Sequence, residues 1–294
     1  MRHAILAGSW YPGTKEELSR TVASYIKHAQ PQTPQGRLYA LISPHAGYRF
    51  SGQAAGFGYK LLQGNDNIRR VIILAPSHHL GFRGLSVLDV DSYETPLGLV
   101  EVDQEAGVLL REHPMIDSIP SAHSREHSLE IQLPFLQETL KKFKLVPVVV
   151  GQLSGNDYEI LADALRPLID ENTLVIASSD FTHFGASFGY MPFKSDIKEN
   201  LAKLDGKAVD NIISKNFEGF RKYLSQTGAT ICGKDGISIL LKLLPPQAEG
   251  TKLVYYTSGD VTGDFTSSVS YASIAFTVPH DLSSPLSPEK QADQ

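Results

Sequence analysis

Leu38-Tyr39-Ala40-Leu41-Ile42-Ser43-Pro44-His45-Ala46-Gly47-Tyr48 decides how the rest of the chain is read. An apolar run of strand length, residues 38–42, leads straight into a proline, a histidine and a glycine. Residues 71–74, 146–150 and 174–177 share its uninterrupted Val/Ile/Leu character. A strand with one wet face alternates apolar and polar residues, whereas an unbroken run suits a strand buried on both faces. The pattern therefore predicts a sheet sandwiched by helices. Residues 253–256 and 269–276 add two more strands. The last, Val269-Ser270-Tyr271-Ala272-Ser273-Ile274, is small and mixed and suits an antiparallel position.

Helical periodicity fills the spacing at 53–62, 104–112, 128–142, 158–168, 197–213, 217–224 and 234–244. Pro134 falls inside the third of these, and it is expected to kink that helix or disturb its first turns. Near the N-terminus, Thr14 and Glu17 have capping-box spacing ahead of Leu18, Val22, Tyr25 and Ile26. That helix should end at the polar, Pro-containing stretch 31–36. The expected fold is a single α/β domain over residues 1–278, with a central, mostly parallel or mixed sheet flanked by helices. Residues 279–294 are poor in apolar groups and rich in Ser, Pro, Glu and Gln, so they are expected to be disordered.

Composition narrows the function classes. The 294 residues suffice for one large α/β domain or two small ones, and neither a repeat nor an internal linker divides them. A net charge of −5 without a basic block argues against nucleic-acid binding. No apolar run approaches the roughly 20 residues of a membrane span, and the N-terminal apolar stretch is too short for a signal peptide. Cys232 is the sole cysteine, so no intramolecular disulfide can form. A reducing, cytoplasmic setting is expected.

The chemistry lies just past the strands. Residues 38–42 lead to His45, residues 71–74 to Ala75-Pro76-Ser77-His78-His79, and residues 174–177 to Ser178-Ser179-Asp180-Phe181-Thr182-His183. Ligands of open α/β sheets bind outside the carboxyl ends of the strands. A lone strand-end histidine is ordinarily a hydrogen-bonded loop or core residue. Three strands that end alike deliver His45, His78 or His79, and Asp180 with His183 to one edge, which points to a shared site.

Cys232 lies in Thr230-Ile231-Cys232-Gly233-Lys234, just ahead of an expected helix. The helix dipole should lower its thiol pKa and favour the metal-binding thiolate. Without a metal, Cys232 reads as a small buried hydrophobe, or as a nucleophile with His183 or His127 as base. His127 and Glu130 share a helical face, which makes Glu130 a candidate acceptor for orienting a histidine. The plainer alternative is a helix cap built on Ser128. Trp10, Tyr11 and Tyr48 suit either a pocket wall or the core. His3, His28, His113 and His280 are given no role.

No HExxH, CxxC, Walker or Rossmann pattern occurs, which argues against zincin proteases, zinc fingers, P-loop enzymes and dinucleotide binding. Two imidazoles and one anionic ligand, with open positions, is the pattern of a non-haem Fe(II) site. A thiolate as third ligand also admits copper, and zinc fits as well. Asp180 and His183 then become acid–base groups, with His183 the better suited near pH 7.

Ser9-Trp10-Tyr11, Pro44-His45-Ala46-Gly47-Tyr48, Pro76-Ser77-His78-His79, Glu126-His127-Ser128-Leu129-Glu130, Ser178-Ser179-Asp180-Phe181-Thr182-His183 and Ile231-Cys232-Gly233 occur in an order that resembles the Memo family. The ending Ser267-Ser268-Val269-Ser270-Tyr271-Ala272 is similar too, so the resemblance spans about residues 8–278. It implies a fold like that of the class III extradiol ring-cleaving dioxygenases, which hold Fe(II) with two histidines and a glutamate. On that resemblance His45 and His78 are the imidazole ligands, and Cys232 stands in place of the carboxylate. His183, Asp180 and His127 are catalytic candidates, while His79, Trp10, Tyr48 and Glu130 surround them. The resemblance implies iron(II) or copper, redox or dioxygenase-like activity, and a small-molecule or peptide ligand. A non-catalytic binding or scaffold role is the alternative, since the cysteine departs from the dioxygenase ligand set. Microbial members, of the AmmeMemoRadiSam system, accompany a radical-SAM protein, which makes such a protein an expected partner. No nucleic-acid or membrane partner is expected.

Overall fold

A computed structural model describes residues 1–279. In chain order its strands are β1 (Arg37–Ser43), β2 (Arg70–Pro76), β3 (Leu85–Val87), β4 (Ser92–Thr95), β5 (Gly98–Glu101), β6 (Ile116–Asp117), β7 (Lys144–Val150), β8 (Thr173–Ser178), β9 (His183–Gly185), β10 (Glu249–Thr257) and β11 (Ser267–Val278). Its α-helices are α1 (Lys15–His28), α2 (Tyr48–Lys60), α3 (Gln104–Arg111), α4 (Pro120–Ser124), α5 (His127–Glu130), α6 (Leu133–Thr139), α7 (Asp157–Leu165), α8 (Ile197–Ile213), α9 (Phe217–Thr227), α10 (Lys234–Leu243) and α11 (Ser258–Thr262). The tail expected to be disordered lies, apart from Pro279, outside the described residues.

Nine strands form one mixed sheet ordered β10-β11-β1-β8-β2-β7-β3-β6, with β9 pairing on β11. β1, β8, β2 and β7 run parallel. β11 and β10 continue antiparallel beyond β1, and β3 is antiparallel to β7. Neighbouring residues of the parallel strands face opposite cores. Ala40, Ile42, Ile72, Leu74, Val146, Val148 and Val175 pack on one side under α3 and α7 to α10. Leu41, Val71, Ile73, Leu145, Leu174 and Ile176 pack on the other under α1, α2, α5 and α6. This is why the sequence runs are unbroken. Each such Val, Leu or Ile contributes on the order of 1.5–3 kcal/mol by leaving water.

Several boundaries differ from the expected ones, each for a local reason. α2 begins at Tyr48, directly after Gly47, so the turn bearing His45 abuts its first residue. The helix expected over 128–142 is two helices. Gln132 precedes α6, and Pro134 lies in its first turn, where a missing N–H costs nothing. β3, β6 and the β4–β5 hairpin are too short to carry a readable period. Among the described residues, no helix is long and apolar enough to cross a membrane.

Glu130 is not a histidine partner. It is fully buried and paired with Arg2, and it accepts from the Tyr11 hydroxyl at 2.6 Å and from Ile5 and Leu6 N–H at 3.0 Å. Arg2 also donates to the carbonyls of His123 and Glu126, at 3.2 and 2.9 Å. The N-terminal segment is thereby fastened to the loop before α5. His123 lies beside Arg2 in the same layer. Its Nε2 sits 3.0 Å from the Ser86 hydroxyl and 3.2 Å from the Ser86 carbonyl, and its Nδ1 lies 2.9 Å from the Tyr93 hydroxyl. Burial, helped by Arg2 and opposed by the hydrogen bond with the Ser86 backbone and by Glu126, lowers His123 to about 4.

Two outcomes follow. Glu130→Gln strands the buried Arg2 guanidinium and should cost about 3–5 kcal/mol, read by urea unfolding at pH 7. A loss below about 1 kcal/mol, the range of an exposed pair, would mean the pair is solvated. For His123, the folded pKa lies below the unfolded value of about 6.5. Its contribution is therefore complete above pH 6.5 and lost as pH falls towards 4, at up to about 1.4 kcal/mol per pH unit. His123→Gln should flatten the loss of stability across that window, and parallel curves for the two proteins would refute the assignment.

Candidate metal centre

The site is assembled where parallel strands stop. β1 and β8 stay paired to their last residues, Ser43 opposite Ser178, and Ser179 N–H extends the ladder to the Ser43 carbonyl at 2.9 Å. One residue on, the Asp180 Oδ1 accepts from His45 N–H at 2.7 Å. Asp180 therefore fixes the turn that presents His45. Cys232 approaches from the loop ahead of α10. Gly233 makes that approach possible, since a Cβ there would fall 2.4 Å from the Ser179 side chain and 2.5 Å from the Ser178 carbonyl.

His45, 2% exposed, has Nε2 3.0 Å from Cys232 Sγ and Nδ1 3.0 Å from Ser178 Oγ. Asp180 N–H points at the same sulfur, 3.2 Å away. The His78 ring stands edge-on to His45 with centroids 5.1 Å apart. Its Nδ1 meets Glu126 Oε1 at 2.8 Å, and its backbone N–H donates to Oε2 at 2.7 Å. One ligand atom each from His45, His78 and Cys232 lies within 4.8 Å of the others. These donors fit a transition metal. With their Nδ1 atoms engaged, both imidazoles have Nε2 to give, and a thiol beside them can supply a soft anionic ligand. A second group of three, His78, Glu126 and His127, is equally close, but its carboxylate is already taken up by N–H donors.

The remaining candidates separate by position. His127 stacks on His78 at 4.4 Å, with Trp10 at 4.5 Å and His45 edge-on at 5.4 Å. His183 has Nδ1 3.0 Å from the carbonyls of Phe181 and Thr230, so that nitrogen carries a proton and Nε2 is left bare. His79 is exposed, 6.2 Å from the His127 ring. Two cavities lie nearby, and only the first is lined by ligand residues of the group. A cleft of about 410 Å³ between the β2 and β7 ends and α10 reaches His78, His79 and Cys232. A larger one, about 690 Å³, is walled by Trp10, Phe50 and Phe188, with Arg49 at its edge. Tyr48 lines neither. It is 3% exposed, bonds the Ile131 carbonyl and packs on Phe135, so it is a core residue rather than a pocket wall.

Electrostatics correct one expectation. Burial pushes the Cys232 thiol well up, and the nearby Asp180 carboxyl adds to this, outweighing hydrogen bonds from backbone N–H groups. The helix start does not produce a free thiolate. Burial also drives His45 well down, as do the neighbouring His78, His127 and His183. A thiolate–imidazolium pair is thus disfavoured from both ends, which leaves a cation as the partner that would ionise the sulfur. Burial lowers His127 to about 4 and raises Asp180. Glu126 is buried too, but its bonds to His78 prevail and hold it near 2. Sequence reasoning chose Glu130 as the orienting carboxylate, where the structure uses Glu126. It also passed over Ser178 and Gln132, whose partners come from distant segments. The one available signal was Glu126 lying next to His127.

The family model described as "Memo-like protein" matches residues 2–275. A MEMO1 family protein of Nitrosopumilus maritimus is 35% identical over 287 residues, covering 94% of this chain and 99% of its own. The protein memo-1 homolog of Caenorhabditis elegans is 33% identical, over 92% and 81% respectively. The MEMO1 family protein MHO1 of Saccharomyces cerevisiae is 32% identical, over 93% and 98%. Among solved structures, that of an uncharacterized protein from Escherichia coli K12 covers 81% of this chain and 99% of its own at 13% identity and a TM-score of 0.49. With a family model spanning nearly the whole chain and such relatives matched end to end, this chain belongs to the Memo family.

Proposed function

We propose that this chain binds one transition-metal ion through His45 Nε2, His78 Nε2 and Cys232 Sγ, and uses it in redox chemistry on a small organic substrate. The observation that carries this reading is the convergence of three metal-type ligand atoms within 4.8 Å at the carboxyl ends of two strands and the start of a helix. Two imidazoles and a thiolate suit iron(II) or copper best, with zinc as the redox-silent alternative. Three protein ligands leave open positions, and iron or copper bound there would supply electron-transfer or oxygen chemistry.

The chain's own residues do the rest. Asp180 holds the His45 turn. His183, fixed through Nδ1 by two carbonyls, has a bare Nε2 that can take a proton from a substrate and return it. His127, which burial keeps neutral, stacks on His78, and Trp10 lies tilted against it. The cleft of about 410 Å³, which reaches His78 and Cys232, gives a substrate its way to the group. The microbial relationship also makes a radical-SAM protein a proposed partner.

A second reading, a scaffold that keeps the pocket without turnover, is favoured by one observation. The sulfur stands where the dioxygenase resemblance has a carboxylate.

Anaerobic titration of the purified chain with Fe(II) or Cu should give one ion per chain. His45→Ala and Cys232→Ser should each weaken binding by roughly 100-fold or more, beyond the 10- to 100-fold typical of residues that only orient ligands. Unchanged stoichiometry and affinity in both variants would dismiss the site. For catalysis, the metal-loaded chain should consume oxygen with catechol or thiol substrates faster than free metal does. His183→Gln should slow that consumption by about 10²–10⁴-fold while metal content is retained. Metal binding without any such consumption would leave the scaffold reading.

A further inference from the structure

We propose that two hydrogen-bond chains, anchored by Glu126 and Ser178, fix His78 and His45 in the same tautomer, protonated on Nδ1, before any metal arrives. Glu126 and Ser178 are then positioning residues, and each ring offers a bare Nε2 to the group it shares with Cys232. The tautomer assignment stands on hydrogen-bond accounting alone, while its consequence for metal affinity rests on the reading under Proposed function.

For His45 the accounting begins at Ser178. Its hydroxyl lies 2.6 Å from the Ser128 carbonyl, 2.8 Å from Gln132 Nε2 and 3.0 Å from His45 Nδ1. A carbonyl only accepts, so the single hydroxyl proton goes to Ser128. The Gln132 amide cannot be turned the other way. Its nitrogen end is 3.0 Å from the Pro44 carbonyl, and its oxygen end takes the Tyr59 hydroxyl at 2.7 Å. Gln132 therefore donates to Ser178. With its proton spent, Ser178 Oγ can only accept from His45, and Nδ1 must carry hydrogen. The bare Nε2 then faces the Cys232 thiol at 3.0 Å, where the S–H has an acceptor.

For His78 the accounting begins at Glu126, 2% exposed. Its carboxylate receives the backbone N–H groups of His78, His127 and Ser128, at 2.7, 3.1 and 3.1 Å. A carboxylate receiving three N–H donors is held in its acceptor-only, ionised form. The Ser128 hydroxyl also lies 2.8 Å from Oε1, and the remaining contact, His78 Nδ1 at 2.8 Å, is thus an N–H donor to the ionised carboxylate. Ser128 joins the chains, since its N–H serves Glu126 and its carbonyl serves Ser178. Presetting both rings removes two tautomeric choices that metal binding would otherwise have to resolve.

Long-range ¹H–¹⁵N correlation spectra of the metal-free, uniformly labelled chain read the tautomer of each ring. In the wild type both His45 and His78 should be protonated on Nδ1. Glu126→Gln should shift His78 towards the other tautomer and leave His45 unchanged, and Ser178→Ala should do the reverse. Each variant should also weaken Fe(II) binding by about 10- to 100-fold. Ser178→Thr and Glu126→Asp, which keep the hydroxyl and the charge, should retain the wild-type pattern. A wild-type spectrum with Nε2–H on either ring overturns the proposal, whether or not any variant folds. So does a loss of the pattern on both rings in each variant, which is what a merely structural role would give. Should the wild type bind no metal, the metal reading fails while the tautomer spectrum still decides this one.

Discussion

The parallel pairing of β1 with β8, closed by Asp180 accepting from His45 N–H, is the constraint on which the site depends. A parallel ladder brings two strand ends to the same edge in register. That register sets His45 beside Asp180, and Gly233 then lets the Cys232 loop settle against the end of β8. Remove the pairing and the sulfur has no imidazole to meet. The two apolar cores beneath the edge supply the rigidity, because the apolar residues of the parallel segments are clamped from one face or the other. A metal group held to a few tenths of an ångström needs supports of this kind rather than loops alone.

The architecture was legible because burial on both faces leaves a mark in the sequence. Residues 71–74 and 174–177 admit no polar member, and the strands run only a residue or two beyond those runs. The strand-end histidines were legible for the same reason, since the edge of a parallel sheet is where chemistry gathers. What escaped was contact between segments far apart. Glu130 and Glu126 are both plausible partners for a nearby histidine from spacing alone. Only the fold reveals that Arg2 and Tyr11 claim the first and leave the second to His78. The thiol of Cys232 was misjudged because a helix start was weighed without the desolvation around it. Here burial is the larger effect. Tyr48 fails as a pocket wall for a simpler reason: α2 begins at that residue and turns its ring inward against Phe135.

Burial gives the metal-free pocket an unusual electrical character. Cys232 is held as a thiol, His45 and His127 as neutral rings, and the Asp180 carboxyl is pushed towards its neutral form. Glu126 stands apart as a buried carboxylate kept ionised by its own N–H donors. Apart from Glu126, the pocket thus carries little formal charge of its own, and the sulfur stays a thiol unless a cation binds beside it.

The contact between His45 and Cys232 spans 187 residues of sequence, and the one between Arg2 and the His123 carbonyl spans 121. A chain made from its N-terminus exposes the two imidazole loops long before the thiol exists. β1 must also wait for both of its sheet neighbours, β8 and β11, which lie far downstream. During synthesis His45 and His78 and the strand β1 therefore precede the partners they meet in the fold, and Cys232 joins them only once the segment ahead of α10 has been made. Such long-range closure is slow to form. It also means that the three candidate ligand atoms converge only after Cys232 has been made, well after the histidines it joins.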